Sequence, residues 1–245
     1  MRAALITGAA GGIGSALVTA FKAAGYHVIA TDLATPASHH ADCFVEADLE
    51  PVAQSDAALA AFRKAVESGL GGHQLAVLVN NAAAQILGPT AAITGAAWDR
   101  TLAVNLTAPL RLAQTFLSAL EAAKGTVLNI GSVHAQATKA GFVAYATSKA
   151  AIHGLTRALA VDLGACVRVI CLAPAAVATP MLRAGFEGMP EAYAALAAAH
   201  PAGRIAEPGE VARAATSIVE DPFLFATGAV FYLDGGILSR LHDPA

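Results

Sequence analysis

What most limits the fold open to this chain is an alternation. Seven short runs of apolar, strand-forming residues are spread from one end to the other: Ala3–Thr7, His27–Thr31, Cys43–Glu46, Leu75–Val79, Thr126–Ile130, Val167–Leu172 and Ala229–Leu233. Between them lie longer stretches of helical period, among them Ile13–Ala24, Ala57–Glu67, Ala97–Ala122 and Ala144–Leu163. In the last of these, Ile152, Leu155, Leu159 and Leu163 mark one stripe of a helix. The short runs are apolar throughout, a pattern that suits strands covered on both faces. Strand–helix–strand units with right-handed crossovers then predict an α/β fold, one doubly wound domain over residues 1–245 with a seven-stranded parallel sheet. The stretch 175–208 breaks the rhythm with prolines, glycines and no strand, and reads as a lid.

Composition narrows the function. With 56% hydrophobic and 13% charged residues, the chain has material for a large core and is not a disordered segment. Its formal net charge of −3 and the lack of a basic cluster argue against nucleic acid as a partner. The longest charge-free stretch, Ser68–Trp98, carries Asn80, Asn81 and five glycines, which is wrong for a membrane span. The N-terminus runs straight into Arg2-Ala3-Ala4-Leu5-Ile6-Thr7-Gly8 with no room for a signal peptide, so a soluble, cytoplasmic protein is expected. Cys43, Cys166 and Cys171 form no CxxC pair and read as buried, inert thiols. His39-His40 reads as solvated loop, and no metal site is expected.

Thr7-Gly8-Ala9-Ala10-Gly11-Gly12-Ile13-Gly14 joins the first strand to the first helix. Gly8 lets the chain turn, Gly12 lets backbone N–H groups approach a pyrophosphate, and Gly14 lets helix and strand pack closely. Asp32 ends the second strand, where a carboxylate accepts the ribose hydroxyls of NAD and repels the 2′-phosphate of NADP. No Lys or Arg stands in the loop or just after Asp32 to receive that phosphate. The reading is a Rossmann domain with NAD as cofactor.

The loop, Asn80-Asn81-Ala82-Ala83, Asn105, Ser132, Tyr145-Ala146-Thr147-Ser148-Lys149 and the turn Asp234-Gly235-Gly236 occur in order, and by them nearly the whole chain resembles the short-chain dehydrogenase/reductase family. The residue types suit hydride transfer at a secondary alcohol, which needs a proton to move at oxygen. Tyr145 and Lys149 share one helix face, so the ammonium would stabilise tyrosinate and draw the phenol pKa toward working pH. Ser132 would hydrogen-bond the substrate oxygen as charge develops there. The resemblance implies that Asn105 holds a water linking Lys149 to solvent, completing the catalytic set Asn105, Ser132, Tyr145 and Lys149. It implies NAD contacts from Gly8, Gly12, Ile13, Gly14, Asp32, Asp48, Leu49, Asn81, Ala82, Tyr145, Lys149, Val177 and Thr179. Asp48 would meet the adenine amino group, and Val177 and Thr179 the nicotinamide carboxamide; a turn cap is the alternative reading of Thr179. Where the family has glycine this chain has Ala83 and Ala175, which then require negative φ. The resemblance also implies a homotetramer or homodimer, in keeping with long alanine-rich helices that one sheet cannot cover.

For the substrate, Gln85 and His134 stand with Tyr145 at positions resembling those of the 3-hydroxybutyrate dehydrogenases of the family. The lysine which that group carries three residues before its tyrosine is Phe142 here, and the sequence leaves open whether Lys139 or Arg183 replaces it. The expectation is an NAD-dependent oxidoreductase interconverting a small polar secondary alcohol (a 3-hydroxy acid, sugar or cyclitol) and its ketone. The alternatives are a 3-oxoacyl thioester reductase, disfavoured by Asp32 and the net charge, and a non-catalytic dinucleotide-sensing module, disfavoured by the intact reacting set.

Overall fold

All seven runs become strands of one sheet in the computed structural model, which describes residues 1–220 and 223–241, so that 221, 222 and 242–245 of the expected domain lie outside it. The strands are β1 (Arg2–Thr7), β2 (His27–Asp32), β3 (Cys43–Glu46), β4 (Gln74–Asn80), β5 (Thr126–Ile130), β6 (Arg168–Pro174) and β7 (Val230–Leu233). They pair in parallel in the order β3-β2-β1-β4-β5-β6-β7. The winding direction reverses between β1 and β4. At such a switch point the loops leaving the strand ends diverge and open a crevice.

The helices are α1 (Gly12–Ala23), α2 (Leu49–Gln54), α3 (Asp56–Gly69), α4 (Gly95–Leu102), α5 (Ala108–Thr115), α6 (Leu117–Ala122), α7 (Val143–Leu163), α8 (Pro180–Ala184), α9 (Pro190–Ala199) and α10 (Pro208–Val219). Successive strand residues face opposite layers. Ala4 and Ile6 of β1 pack with Leu17 and Phe21 of α1 and with Val211 and Ile218 of α10. Leu5, between them, packs into the other layer with Phe62 and Val66 of α3 and Leu112 of α5. Leu5, Ile6, Leu17, Phe21 and Leu112 are fully enclosed, each worth about 1.5–3 kcal/mol of burial.

Several expectations need correcting. The single helix expected over 97–122 is three, with a π-turn at Ala103–Thr107 and a break at Phe116. Pro109 has no N–H to return to the carbonyl of Asn105 four residues before it, so a regular ladder cannot run through this point. The short helix α2 was not foreseen; Asp48 caps it, accepting the Glu50 N–H at 3.0 Å. The lid is not irregular but holds α8 and α9 and a bridge between Val177 and Ala206. Cys166 is exposed and Cys43 half-buried, so only Cys171 is the buried thiol expected. Helix α7 exists as predicted, yet its enclosed face is Ser148, Lys149, Ile152, His153, Thr156 and Ala160, with Leu155, Leu159 and Leu163 only half-buried.

Candidate active site

The crevice begins at the glycine loop. Gly8 has φ +66°, and a Cβ there would stand 2.7 Å from the Cα of Ala82. A Cβ on Gly14 would fall 1.9 Å from the Gly8 carbonyl oxygen, so β1 and α1 approach as closely as they do only because that side chain is absent. Asn81 straps the loop to β4: its amide donates to the carbonyls of Thr7 (2.9 Å) and Gly8 (3.0 Å). Thr7 Oγ1 in turn accepts the N–H groups of Asn81 and Ala82, both at 3.0 Å. Gly11 caps α1 without a side-chain oxygen, and no acid stands in the first turn. The leading N–H groups of α1 are therefore left for an anion, which is what a dinucleotide pyrophosphate requires.

Asp32 lies beside this loop, its carboxylate accepting the N–H groups of Ala10 and Leu33, both at 2.8 Å. Leu49 is buried in the core, so only its backbone is available to a ligand. Arg100 of α4 pairs with Asp48 at 3.5 Å and with Glu50. Thr179 does cap α8, accepting the Leu182 N–H at 3.2 Å, but it also reaches the phosphate loop. Its Cβ and Cδ of Pro180 lie 3.0 and 2.9 Å from where a Cβ on Gly12 would be, so lid and loop meet there. Val177 is buried just past β6. Lys124 is the sole non-glycine residue with positive φ among those described, so Ala83 and Ala175 adopt the negative φ they require. The donor set and the clearances of this cradle fit a dinucleotide.

The candidate reacting groups gather where β5 ends. Ser132 is enclosed, its Oγ accepting the His134 N–H at 3.2 Å. Lys149, buried on α7, donates from Nζ to the Ile130 carbonyl at 2.8 Å and stands 5.6 Å from the centroid of the Tyr145 ring. Burial pulls the Lys149 pKa down to about 8. Burial pushes the Tyr145 phenol up to about 12, and the adjoining Ser132 hydroxyl works against that rise. Enclosure therefore holds the phenol protonated, where the sequence leads one to expect a lowered value. Asn105 spends its whole amide on neighbours: Oδ1 accepts the Ala84 N–H (2.7 Å), and Nδ2 donates to the Ala84 carbonyl (3.0 Å) and Ser148 Oγ (2.9 Å).

Sequence reasoning missed the buried polar frame beneath this site. Asn80 Nδ2 donates to Asn129 Oδ1 (2.8 Å), Asn129 Nδ2 to Thr156 Oγ1 (2.9 Å), and Thr156 Oγ1 to the Ile152 carbonyl (2.8 Å), tying β4 and β5 to α7. The signal that could have found it is the occurrence of asparagine inside two otherwise apolar strands.

On the substrate side, His134 stacks on Phe142 (centroids 4.5 Å apart, 9° between planes) and meets the Tyr145 ring edge-on at 5.8 Å. Its Nδ1 bonds Thr138 Oγ1 at 3.0 Å, and burial together with the Lys139 charge lowers its pKa. Gln85 is exposed on the loop after β4. Arg183 is engaged by Glu207 at 3.8 Å and by the Ala178 carbonyl at 3.4 Å. His39 and His40 are exposed, and no cluster able to hold a metal occurs among the described residues.

The chain is similar to known proteins along nearly its whole length. A family model described as enoyl-(acyl carrier protein) reductase matches residues 8–238. A 2-(S)-hydroxypropyl-CoM dehydrogenase of Xanthobacter autotrophicus is 32% identical over 95% of this chain and 94% of its own. The L-xylulose reductase of Bos taurus is 33% identical over 97% of each. A solved structure assigned as an NAD(P)-dependent gluconate 5-dehydrogenase of Beutenbergia cavernae, with NADP bound, is 32% identical, covers 98% of this chain and 97% of its own, and superposes with a TM-score of 0.85. The chain belongs to the short-chain dehydrogenase/reductase family, a family of oxidoreductases. Its relatives include dehydrogenases and reductases of secondary alcohols and their ketones.

Proposed function

We propose that this chain is an NAD-dependent dehydrogenase of the cytoplasm that interconverts a small polar secondary alcohol and its ketone. The observation that carries the reading is the convergence of Ser132, Tyr145 and buried Lys149 at the end of β5, beside a loop able to cradle a dinucleotide. The glycine loop and Asp32 would hold a nicotinamide dinucleotide, which would supply the hydride acceptor or donor. Ser132 holds the reacting oxygen. Tyr145 moves the proton at its phenolic oxygen: as phenolate it takes the proton from the alcohol, and as phenol it gives one to the ketone. Lys149, with no carboxylate paired to it among the described residues, supplies the positive charge that stabilises the phenolate as it forms. The main-chain carbonyl of Asn105, lacking a partner in Pro109, is the better candidate to hold the relay water, since the Asn105 amide is already spent.

Asp32 supports NAD over NADP, because a 2′-phosphate would meet its carboxylate with no cation nearby in the loop. His134, held neutral, and Gln85 support a substrate that offers hydroxyl or other polar groups, in line with the xylulose and gluconate named for the relatives. The half-buried leucines of α7 and the exposed Val161 support pairing with a second copy, in a homodimer or homotetramer. One experiment tests the reading. A panel of secondary alcohols and ketones is followed at the nicotinamide absorbance with NAD(H) and NADP(H), for the wild type and Tyr145→Phe. Turnover that prefers NAD and vanishes in Tyr145→Phe, with NADH binding retained, is the expected result. Equal use of NADP would remove the Asp32 argument. NADH binding without turnover of any member would favour a sensing module.

A further inference from the structure

An open cleft of about 570 Å³ lies between the loop after β4 and the loop leading into α7. Gly88, Thr90, Thr138, Lys139, Gly141 and Val143 are among its walls, and Lys139 is the one charged residue among the described residues that line it. The size suits a small organic ligand, and open clefts of this kind take orientation from a few polar groups. The two loops are fastened to each other by the Gly88 N–H donating to the Gly141 carbonyl at 3.0 Å, so the walls are set. Lys139 pairs with no carboxylate among the described residues, and its ammonium rests 4.8 Å above the Phe142 ring. Phe142 stacks on His134 and lies 6.1 Å, edge-on, from Tyr145. The ammonium therefore stands no farther from the phenol ring than these two spacings laid end to end.

Deepening the dehydrogenase reading, on which it rests, we infer that this cleft is a subsite for an anionic group on the substrate, with Lys139 as the cation that receives it. The alcohol is then a hydroxy acid whose carboxylate lies several carbons from the reacting carbon. His134 does not serve that charge: neutral and bonded to Thr138, it offers a ring nitrogen to a neutral hydroxyl nearer the reacting carbon. Arg183 is not among the residues that line this cleft. The ring face of Phe142 supports the Lys139 ammonium by a cation–π contact, and Lys139 also lines the cleft. Thr138 both lines the cleft and holds His134, so occupying one subsite positions the residue that serves the other.

The test uses matched pairs of probes: 4-hydroxypentanoate, 5-hydroxyhexanoate and 4-hydroxycyclohexanecarboxylate, each beside its primary amide. Each is assayed with NAD on the wild type, Lys139→Met and Lys139→Arg. The wild type should prefer at least one acid to its amide. Lys139→Met should lower kcat/KM for that acid by about tenfold, the scale of one charge-assisted contact, mainly through KM. The amide should be unaffected, and Lys139→Arg should keep the preference. Raised salt should weaken the preference in the wild type and not in Lys139→Met. Acids and amides turned over equally well, or an acid preference that survives Lys139→Met, would overturn the subsite while leaving the dehydrogenase intact. If no alcohol or ketone of the wider panel reacts although NADH binds, the dehydrogenase reading falls and the subsite with it.

Discussion

Replacing Lys149 by Met should make the cofactor-free protein more stable while removing its activity. Lys149 is only 4% exposed, and burial holds its pKa down to about 8. The gap from the ordinary lysine value of ~10.4 corresponds to a penalty on the order of 3 kcal/mol for keeping the ammonium in the fold. One hydrogen bond, to the Ile130 carbonyl at 2.8 Å, offsets part of it. Losing that bond and leaving the carbonyl without this donor costs about 1–2 kcal/mol. The variant should gain about 1–2 kcal/mol, which at this chain length raises Tm by about 2–8 °C. The pH dependence has a fixed sign. Below pH 8 both folded and unfolded lysine carry the proton, and the penalty is present in full. Between about 8 and 10.4 the unfolded chain holds a proton that the native one has released, so wild-type stability rises relative to the variant and the difference closes. Thermal unfolding of the two proteins without cofactor, from pH 6 to 10, measures it. A Lys149→Met protein less stable than wild type at pH 7, or a difference that does not change with pH, would refute the reasoning.

Three further outcomes follow from the same geometry. Asn105→Ala removes three buried hydrogen bonds and leaves the Ala84 N–H and carbonyl unpaired, so unfolding should become easier by about 2–5 kcal/mol and kcat should fall, by denaturant titration and steady-state assay. Gly14→Ala puts a methyl 1.9 Å from the Gly8 carbonyl oxygen and should abolish NADH binding by fluorescence titration, more severely than Gly12→Ala, where the nearest atoms belong to the lid. His153 is buried with its pKa lowered to about 4, mainly by burial, so it contributes no pH dependence above its unfolded value of ~6.5. As pH falls from there toward 4 the unfolded chain binds a proton that the native one does not, and stability drops; in His153→Leu this part of the slope, on the order of 2–3 kcal/mol, should be missing from acid-unfolding curves.

The sheet was legible because its signal is local. Runs of four to six mostly apolar residues between turn-forming segments leave little choice, and the bounds of β3 and β5 fall where expected. The reacting residues were legible because Tyr145 and Lys149 are one helical turn apart, where sequence spacing fixes a shared face. Less legible was whatever depends on partners distant in sequence. The stripe of leucines on α7 predicts a buried face that the structure turns half to the surface, because the enclosed side is given to Ser148, Lys149, His153 and Thr156. The break in the expected 97–122 helix had its cause in plain view at Pro109, but which carbonyl it would free depends on the register of the π-turn. The value of the Tyr145 pKa depends on enclosure, which no spacing reveals.

Many of the residues expected in the site are also structural. Asn81 straps the glycine loop, Asp48 caps α2, Thr179 caps α8, and Asn105 pins the chain at Ala84. Truncating any of them disturbs a loop as well as a contact, so loss of activity in such variants would not separate binding from folding. Tyr145 and Lys139 differ. The phenolic oxygen of Tyr145 holds no loop in place among the described residues, and Lys139 projects from the surface above a ring. A crevice built at a switch point has this division because its walls are loops without a sheet to support them. The side chains nearest the ligand must first hold those loops, and only the few that do not can be removed to reveal the chemistry alone.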